Sequence, residues 1–203
     1  MDDTTSDLEG AALAIYGEAG LDPTDPPSAH DLARAILGRH GVQYAHGILG
    51  GAKYQPLPDG REWIFVRPGL PPVVEQMKIF HELAERHLRR SFDPHLEVLC
   101  DQIAYRLRMP RPAFLELVRT VGPNWRRLAA PWGASDAAGA LRYLEATGTP
   151  GVVITRTAVR ARGEAWAWPD EQELRRLVRA RALPDGLERR RLRDGAGVVF
   201  TAV

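Results

Sequence analysis

Phe80-His81-Glu82-Leu83-Ala84-Glu85-Arg86-His87 is the stretch on which the reading of this chain turns. An α-helix advances about 100° per residue, so positions four apart stand nearly above one another. His81 and Glu85 then share a face, with Glu82 beside them. The run is one residue away from H-E-x-x-H, in which two histidines hold zinc and the glutamate acts as general base. Glu85 stands where that motif has its second histidine. His87 does not replace it, because six helical residues turn it about 120° away from His81.

A hydrolytic zinc site needs three protein ligands and one open position for water. One helix supplies two of them at i and i+4, so the third must come from elsewhere. The next helical stretch offers Glu97, with Asp101 four residues later on the same face. Glu97 would complete the ligand set with His81 and Glu85. Asp101 would accept a hydrogen bond from the ring nitrogen of His81 that faces away from the metal. His95, just before that stretch, is a further candidate imidazole. The bland alternative makes Glu82, Glu85 and Glu97 surface carboxylates facing Arg86, Arg89 and Arg90.

Outward from the motif, Val73, Met77, Phe80 and Leu83 recur at helical spacing and predict a helix from Val73 to about Arg90. Before it the period shortens towards two. Val42 and Tyr44 alternate with polar neighbours, Lys53 to Pro56 forms a second short run, and Asp59-Gly60 precedes Trp63 to Val66. This predicts a small antiparallel meander. Ser28 is the N-cap of a helix through Leu37. Residues 1–27 read as a polar leader with a short helix over Leu8 to Ile15.

After the motif, Leu96, Cys100, Ile103 and Leu107 mark a helix from about Asp93, stopped at Met109-Pro110 because a residue before proline disfavours helical geometry. Cys100 lies in that stripe and reads as a buried apolar thiol. Pro112 to Thr120 is helical in pattern. Asn124 to Ala130, a break at Pro131 to Gly133, and Ser135 to Thr147 have the outline of a helix-turn-helix. Arg142 is the only base in its second helix, which points to packing rather than DNA reading. Strands are expected at Val152 to Thr155, around Val159 continuing through the Trp166 and Trp168 pair, and at Gly197 to Val203. A helix is expected over Glu171 to Arg181, and the Arg189 to Arg193 run reads as a solvated face.

Composition narrows the class. The 203 residues are 44% hydrophobic and 26% charged with a net charge of +1, which is globular and provides no general attraction for nucleic acid. A single cysteine forbids an intramolecular disulfide. No signal peptide pattern and no membrane-spanning apolar run is read, so the expectation is a cytoplasmic protein.

The chain resembles the ImmA/IrrE family of zinc metallopeptidases. Trp63 to Arg67, Val73 to Glu85 (VVEQMKIFHELAE), Glu97 to Pro110 (EVLCDQIAYRLRMP) and Arg111-Pro112-Ala113-Phe114 carry the likeness, over roughly residues 28–147. The family pattern has H-E-L-G-H and then E-x-x-A-N/D-x-F-A-x-x-L-L-M-P. The resemblance implies His81 and Glu97 as metal ligands, Glu82 as general base and Asp101 as the partner that orients His81. Glu85 either ligates as a carboxylate or leaves the site without metal. A His/Glu/Glu set is harder than a two-histidine set and shifts preference from zinc towards manganese or iron.

The expected architecture is α+β. A mainly helical metallopeptidase-like domain (28–120) has a small antiparallel sheet before the motif helix. A leader (1–27), a helix-turn-helix-like extension (121–148) and a small C-terminal α+β appendage (149–203) surround it. The expected activity is metal-dependent endopeptidase action on a protein or peptide, such as a transcriptional repressor, with no membrane or nucleic-acid partner. The alternative is a non-catalytic, peptidase-like module that binds a regulatory protein.

Overall fold

The motif helix owes its place in the fold to six consecutive buried residues. Ile79, Phe80, His81, Glu82, Leu83 and Ala84 are all buried, so this helix is covered on nearly every side. Each large apolar side chain among them contributes about 1.5–3 kcal/mol on burial. In the computed structural model the described residues are 3–88, 96–155, 159–162, 176, 187–191 and 197–202. The chain forms two compact units, Asp2–Ala113 and Phe114–Val203.

In the first unit the order is α1 (Asp3–Ala19), α2 (Ala29–Leu37), β1 (Val42–Tyr44), β2 (Ala52–Pro56), β3 (Glu62–Val66), α3 (Pro72–Leu88) and α4 (Leu96–Arg108). α3, the motif helix, packs against α1, α2, α4, β2 and β3. Ser28 caps α2 as expected, its hydroxyl accepting from the Asp31 N–H. Along β2 and β3 the buried residues are Ala52, Tyr54, Ile64 and Val66, one pleat face of the sheet. Trp63 and Phe65 have the opposite parity and meet edge to face, with the Arg61 guanidinium over the Trp63 ring.

Two expectations for this unit are corrected. The sheet is mixed, with order β1-β3-β2: β2 is antiparallel to β3, but β1 is parallel to it. Residues 45–51 carry the chain from one edge strand to the other, across the width that β3 fills. Gly51 ends that crossing at φ 97°, which a side chain adopts only under strain. Residues 3–27 are no leader. Leu8, Ala12, Ile15 and Tyr16 of α1 are buried in the same core as α3 and α4. The Tyr16 hydroxyl donates to the Leu107 carbonyl at 2.8 Å, taking up one of the carbonyls left open at the end of α4. Glu9 accepts from the Arg111 N–H at 3.2 Å and lies 3.7 Å from Arg106 Nε, holding the α4 end from the same side.

The division between units falls inside α5 (Arg111–Val121). The expected helical extension and C-terminal appendage thus belong to one unit. There α6 (Trp125–Ala129), capped by Asn124, runs through a single 3₁₀ turn to α7 (Asp136–Thr147), capped by Ser135. α6 and α7 approach closely at Gly139, where a Cβ would stand 2.7 Å from the Trp125 carbonyl oxygen. β4 (Gly151–Thr155), β5 (Val159–Arg162), β6 (Leu187–Arg191) and β7 (Gly197–Ala202) form an antiparallel sheet in the order β5-β4-β7-β6. Val152, Val153 and Ile154 of β4 are buried, and α7 packs on the sheet. The expected Trp166 and Trp168 segment, and the helix over Glu171 to Arg181 apart from Arg176, lie outside the described residues.

Candidate metal and acid–base site

α3 and α4 bring His81, Glu97 and Asp101 together, and Glu82 and Glu85 are joined to each other beside them. His81 is buried on α3, its side chain 10% exposed. Its Nδ1 lies 2.8 Å from Asp101 Oδ1, and its Nε2 lies 3.3 Å from Glu97 Oε2. Glu97 and Asp101 are four apart on α4, so one helix face presents both carboxylates to one imidazole. Those carboxylates are 80% and 78% exposed. The ring is thus held from the solvent side by acidic groups at its rim. With Nδ1–H donating to Asp101, the Nε2 lone pair faces the Glu97 side.

Glu82 is more deeply buried than His81, at 5% exposure. Its Oε2 accepts the Tyr54 N–H of β2 at 2.6 Å. That contact follows from the sheet register. Hydrogen-bonded positions between β2 and β3 fall on odd residues, since Leu57 N–H reaches the Arg61 carbonyl and Arg67 N–H the Gly51 carbonyl. Even residues of β2 therefore turn their main chain to the outer edge, where α3 passes. The Glu82 carboxyl is pushed up to about 7 from an ordinary 4.5. Burial is the largest cause; the Tyr54 N–H opposes it, and the charge of Glu85 and a hydrogen bond with Glu85 add to it. Glu82 and Glu85, three residues apart on α3, are thus neighbours joined by a hydrogen bond.

Cys100, on the α4 stripe, is fully buried and unpaired with any other cysteine. Burial, and then the charges of Glu85, Glu97, Glu82 and Asp101, push its thiol up to about 12. The thiol is a packing group in an acidic surround, not a nucleophile.

A divalent metal on His81, Glu85 and Glu97 can be tested against these positions. Bonds of about 2.0–2.2 Å in a tetrahedron put neighbouring donors roughly 3.3–3.5 Å apart. His81 Nε2 and Glu97 Oε2 meet that spacing. Glu85 fits in kind but is hydrogen-bonded to Glu82. Among the described residues no three His, Cys, Asp or Glu side chains converge as a ligand group. His95 lies outside the described residues.

Sequence reasoning missed the support behind Glu82. The Tyr54 hydroxyl donates to Glu62 on β3, Glu62 Oε2 accepts from Arg86 Nε at 2.9 Å, and Arg86 Nη1 reaches Glu18 on α1 at 2.8 Å. Arg86 therefore faces away from the carboxylates that the bland alternative assigned to it. One signal was legible: Glu62 has the strand parity of buried Ile64 and Val66, and an inward carboxylate calls for a cation. In the second unit the lone base of α7, Arg142, is buried with its side chain 3.7 Å from Glu145, so α7 offers no cation to solvent.

No family model matches the chain, and no curated protein matches it. Among solved structures it is similar to a Mycobacterium tuberculosis transcriptional regulator at 17% identity and a TM-score of 0.56. The likeness covers 91% of this chain and 64% of that one, and at this identity it speaks to the fold alone. Among the described residues no helix is long and apolar enough to cross a membrane.

Proposed function

We propose that the chain is a metal-dependent endopeptidase of the ImmA/IrrE type, acting in the cytoplasm on a protein substrate such as a transcriptional repressor. The observation that carries this reading is a buried imidazole oriented by Asp101, with its second nitrogen 3.3 Å from Glu97 and a high-pKa carboxyl next to it. His81, Glu97 and Glu85 would hold zinc, or manganese or iron given two carboxylates. A bound metal supplies a water of lowered pKa and polarises the scissile carbonyl. Glu82, with an affinity for protons near neutrality, takes the proton from the attacking water and returns it to the leaving amine. Asp101 keeps the ring in the tautomer that leaves Nε2 unprotonated. To serve as a ligand, Glu85 would have to give up its hydrogen bond with Glu82, which would leave that carboxyl available as the base.

Elemental analysis of protein purified without chelator, together with cleavage assays, tests the reading. About one equivalent of divalent metal is expected in wild type and in Glu82→Gln, with turnover reduced by roughly 10²–10⁴-fold in the variant. Unchanged cleavage in Glu82→Gln would falsify the mechanism.

A second reading, a peptidase-like module that binds a regulatory protein without cutting it, is favoured by one observation: Glu85 is hydrogen-bonded to Glu82. It predicts metal-free wild type and a sharp rise in metal content in Glu85→His. Stoichiometric metal that survives dialysis of wild type counts against it.

A further inference from the structure

The Glu82 carboxylate is held at the end of a closed chain of contacts that leaves α3 and returns to it four residues later. Glu82 accepts the Tyr54 N–H at 2.6 Å. Tyr54 carries the contact through its own side chain, whose hydroxyl donates to Glu62 Oε1. The other oxygen of Glu62 accepts from Arg86 Nε at 2.9 Å, and Arg86 is on α3 one turn beyond Glu82. Arg86 is fixed in turn by Glu18 of α1 at 2.8 Å. The Arg86 side chain is 20% exposed and that of Glu62 30%, so the pair is shielded enough to hold its geometry.

We propose that Tyr54 is the positioning residue for Glu82, and that Glu62, Arg86 and Glu18 are the brace that holds Tyr54 at the strand register where its N–H meets the carboxylate. β2 is an edge strand, secured on one side only by β3. An edge strand with one partner slides and frays more readily than a central one. The Tyr54 ring anchors it at the position that matters. With Oε2 fixed by the N–H, Oε1 is the oxygen left for proton transfer and for Glu85. Loss of the brace lets β2 move and lets the carboxylate rotate. The consequence for turnover rests on the hydrolase reading above, whereas the positioning itself does not.

The test is the Tyr54 amide of the full-length, ¹⁵N-labelled protein. Tyr54→Phe keeps the N–H and deletes the hydroxyl; Glu62→Gln keeps the side-chain shape and weakens both of its contacts. Each is expected to shift this amide proton upfield and to speed its exchange about tenfold, the size of one hydrogen bond to a charged group. Glu82→Gln is expected to move the same resonance. Ser28→Ala, in the same unit but remote from β2, lowers stability and leaves it in place, separating positioning from general loosening. If cleavage depends on Glu82, both brace variants are expected to lower kcat with KM unchanged. A Tyr54 amide indifferent to Tyr54→Phe and to Glu62→Gln overturns the brace, even where the hydrolase reading stands. An amide that responds in a protein that cleaves nothing sustains the brace and removes the hydrolase reading. Should Tyr54→Phe fail to fold, Glu62→Gln decides.

Discussion

On α3 the buried His81 reaches two carboxylates of another helix that are 80% and 78% exposed, whereas on α7 the buried Arg142 lies beside Glu145 of its own helix, whose side chain is 2% exposed. In the second arrangement cation and anion enter the interior together, three residues apart on one helix. The first stays open. Its partners stand in water and can exchange one contact for another without unfolding anything. A buried polar side chain is common to both regions, so burial alone does not mark a site. The exposure of the partners does. The same contrast bears on DNA binding, because phosphate contacts need solvent-facing cations and α7 has withdrawn its only one.

The largest effect that probes this contrast is on stability. Arg142→Ala leaves Glu145 without its ion-pair partner inside the protein and is expected to cost about 3–5 kcal/mol, while His81→Ala costs about 1 kcal/mol because Glu97 and Asp101 are already hydrated. Urea unfolding with hydrogen exchange resolved by unit measures both. Equal losses would erase the distinction.

A smaller effect is the pH dependence of the first unit in metal-free protein. Glu82 has a folded pKa of about 7 against an ordinary 4.5, so between those values the folded state binds more protons than the unfolded one. The contribution of Glu82 to the stability of this unit is therefore expected to be fullest below about 4.5 and to fall as pH rises towards 7. Glu82→Gln is expected to flatten that slope, read as the urea midpoint at several pH values. A slope that survives in the variant assigns it to another group.

The smallest effects are the two helix caps. Ser28→Ala on α2 and Ser135→Ala on α7 each remove one hydrogen bond to a helix N–H and are expected to cost about 1 kcal/mol. The same chemistry in the two units calibrates how much local loosening alone does, and any larger loss at His81 or Arg142 is then attributable to charge.

Much of the framework was legible because local rules act within a few residues. Ser28 and Ser135 marked helix starts, Met109-Pro110 marked a stop, and the i, i+4 spacing of Glu97 and Asp101 placed both on one face. The partner of β1 was not legible. Alternation along Val42 to Tyr44 points to a strand but not to which strand lies alongside, and a parallel neighbour leaves no local trace. Only the Leu8 to Ile15 part of α1 was read, and its place in the core was missed because Leu8, Ile15 and Tyr16 are few large apolar residues in a polar stretch. Glu85 could not be settled for a different reason. It is four residues from His81 and three from Glu82, and helix geometry permits both contacts. The Tyr54 contribution is a backbone N–H, which no side-chain pattern announces.

The contact between Glu82 and Tyr54 has a consequence for how this protein behaves in concentrated solution. An outward-facing N–H on a sheet margin is a template for pairing with another molecule, and proteins usually cover such margins. Here the covering group is the carboxylate itself, with Pro56 removing a donor two residues further along the same margin. The side chain suited to accept a proton also discourages self-association. Replacing it by glutamine keeps an acceptor over that N–H; replacing it by alanine uncovers the margin and invites aggregation.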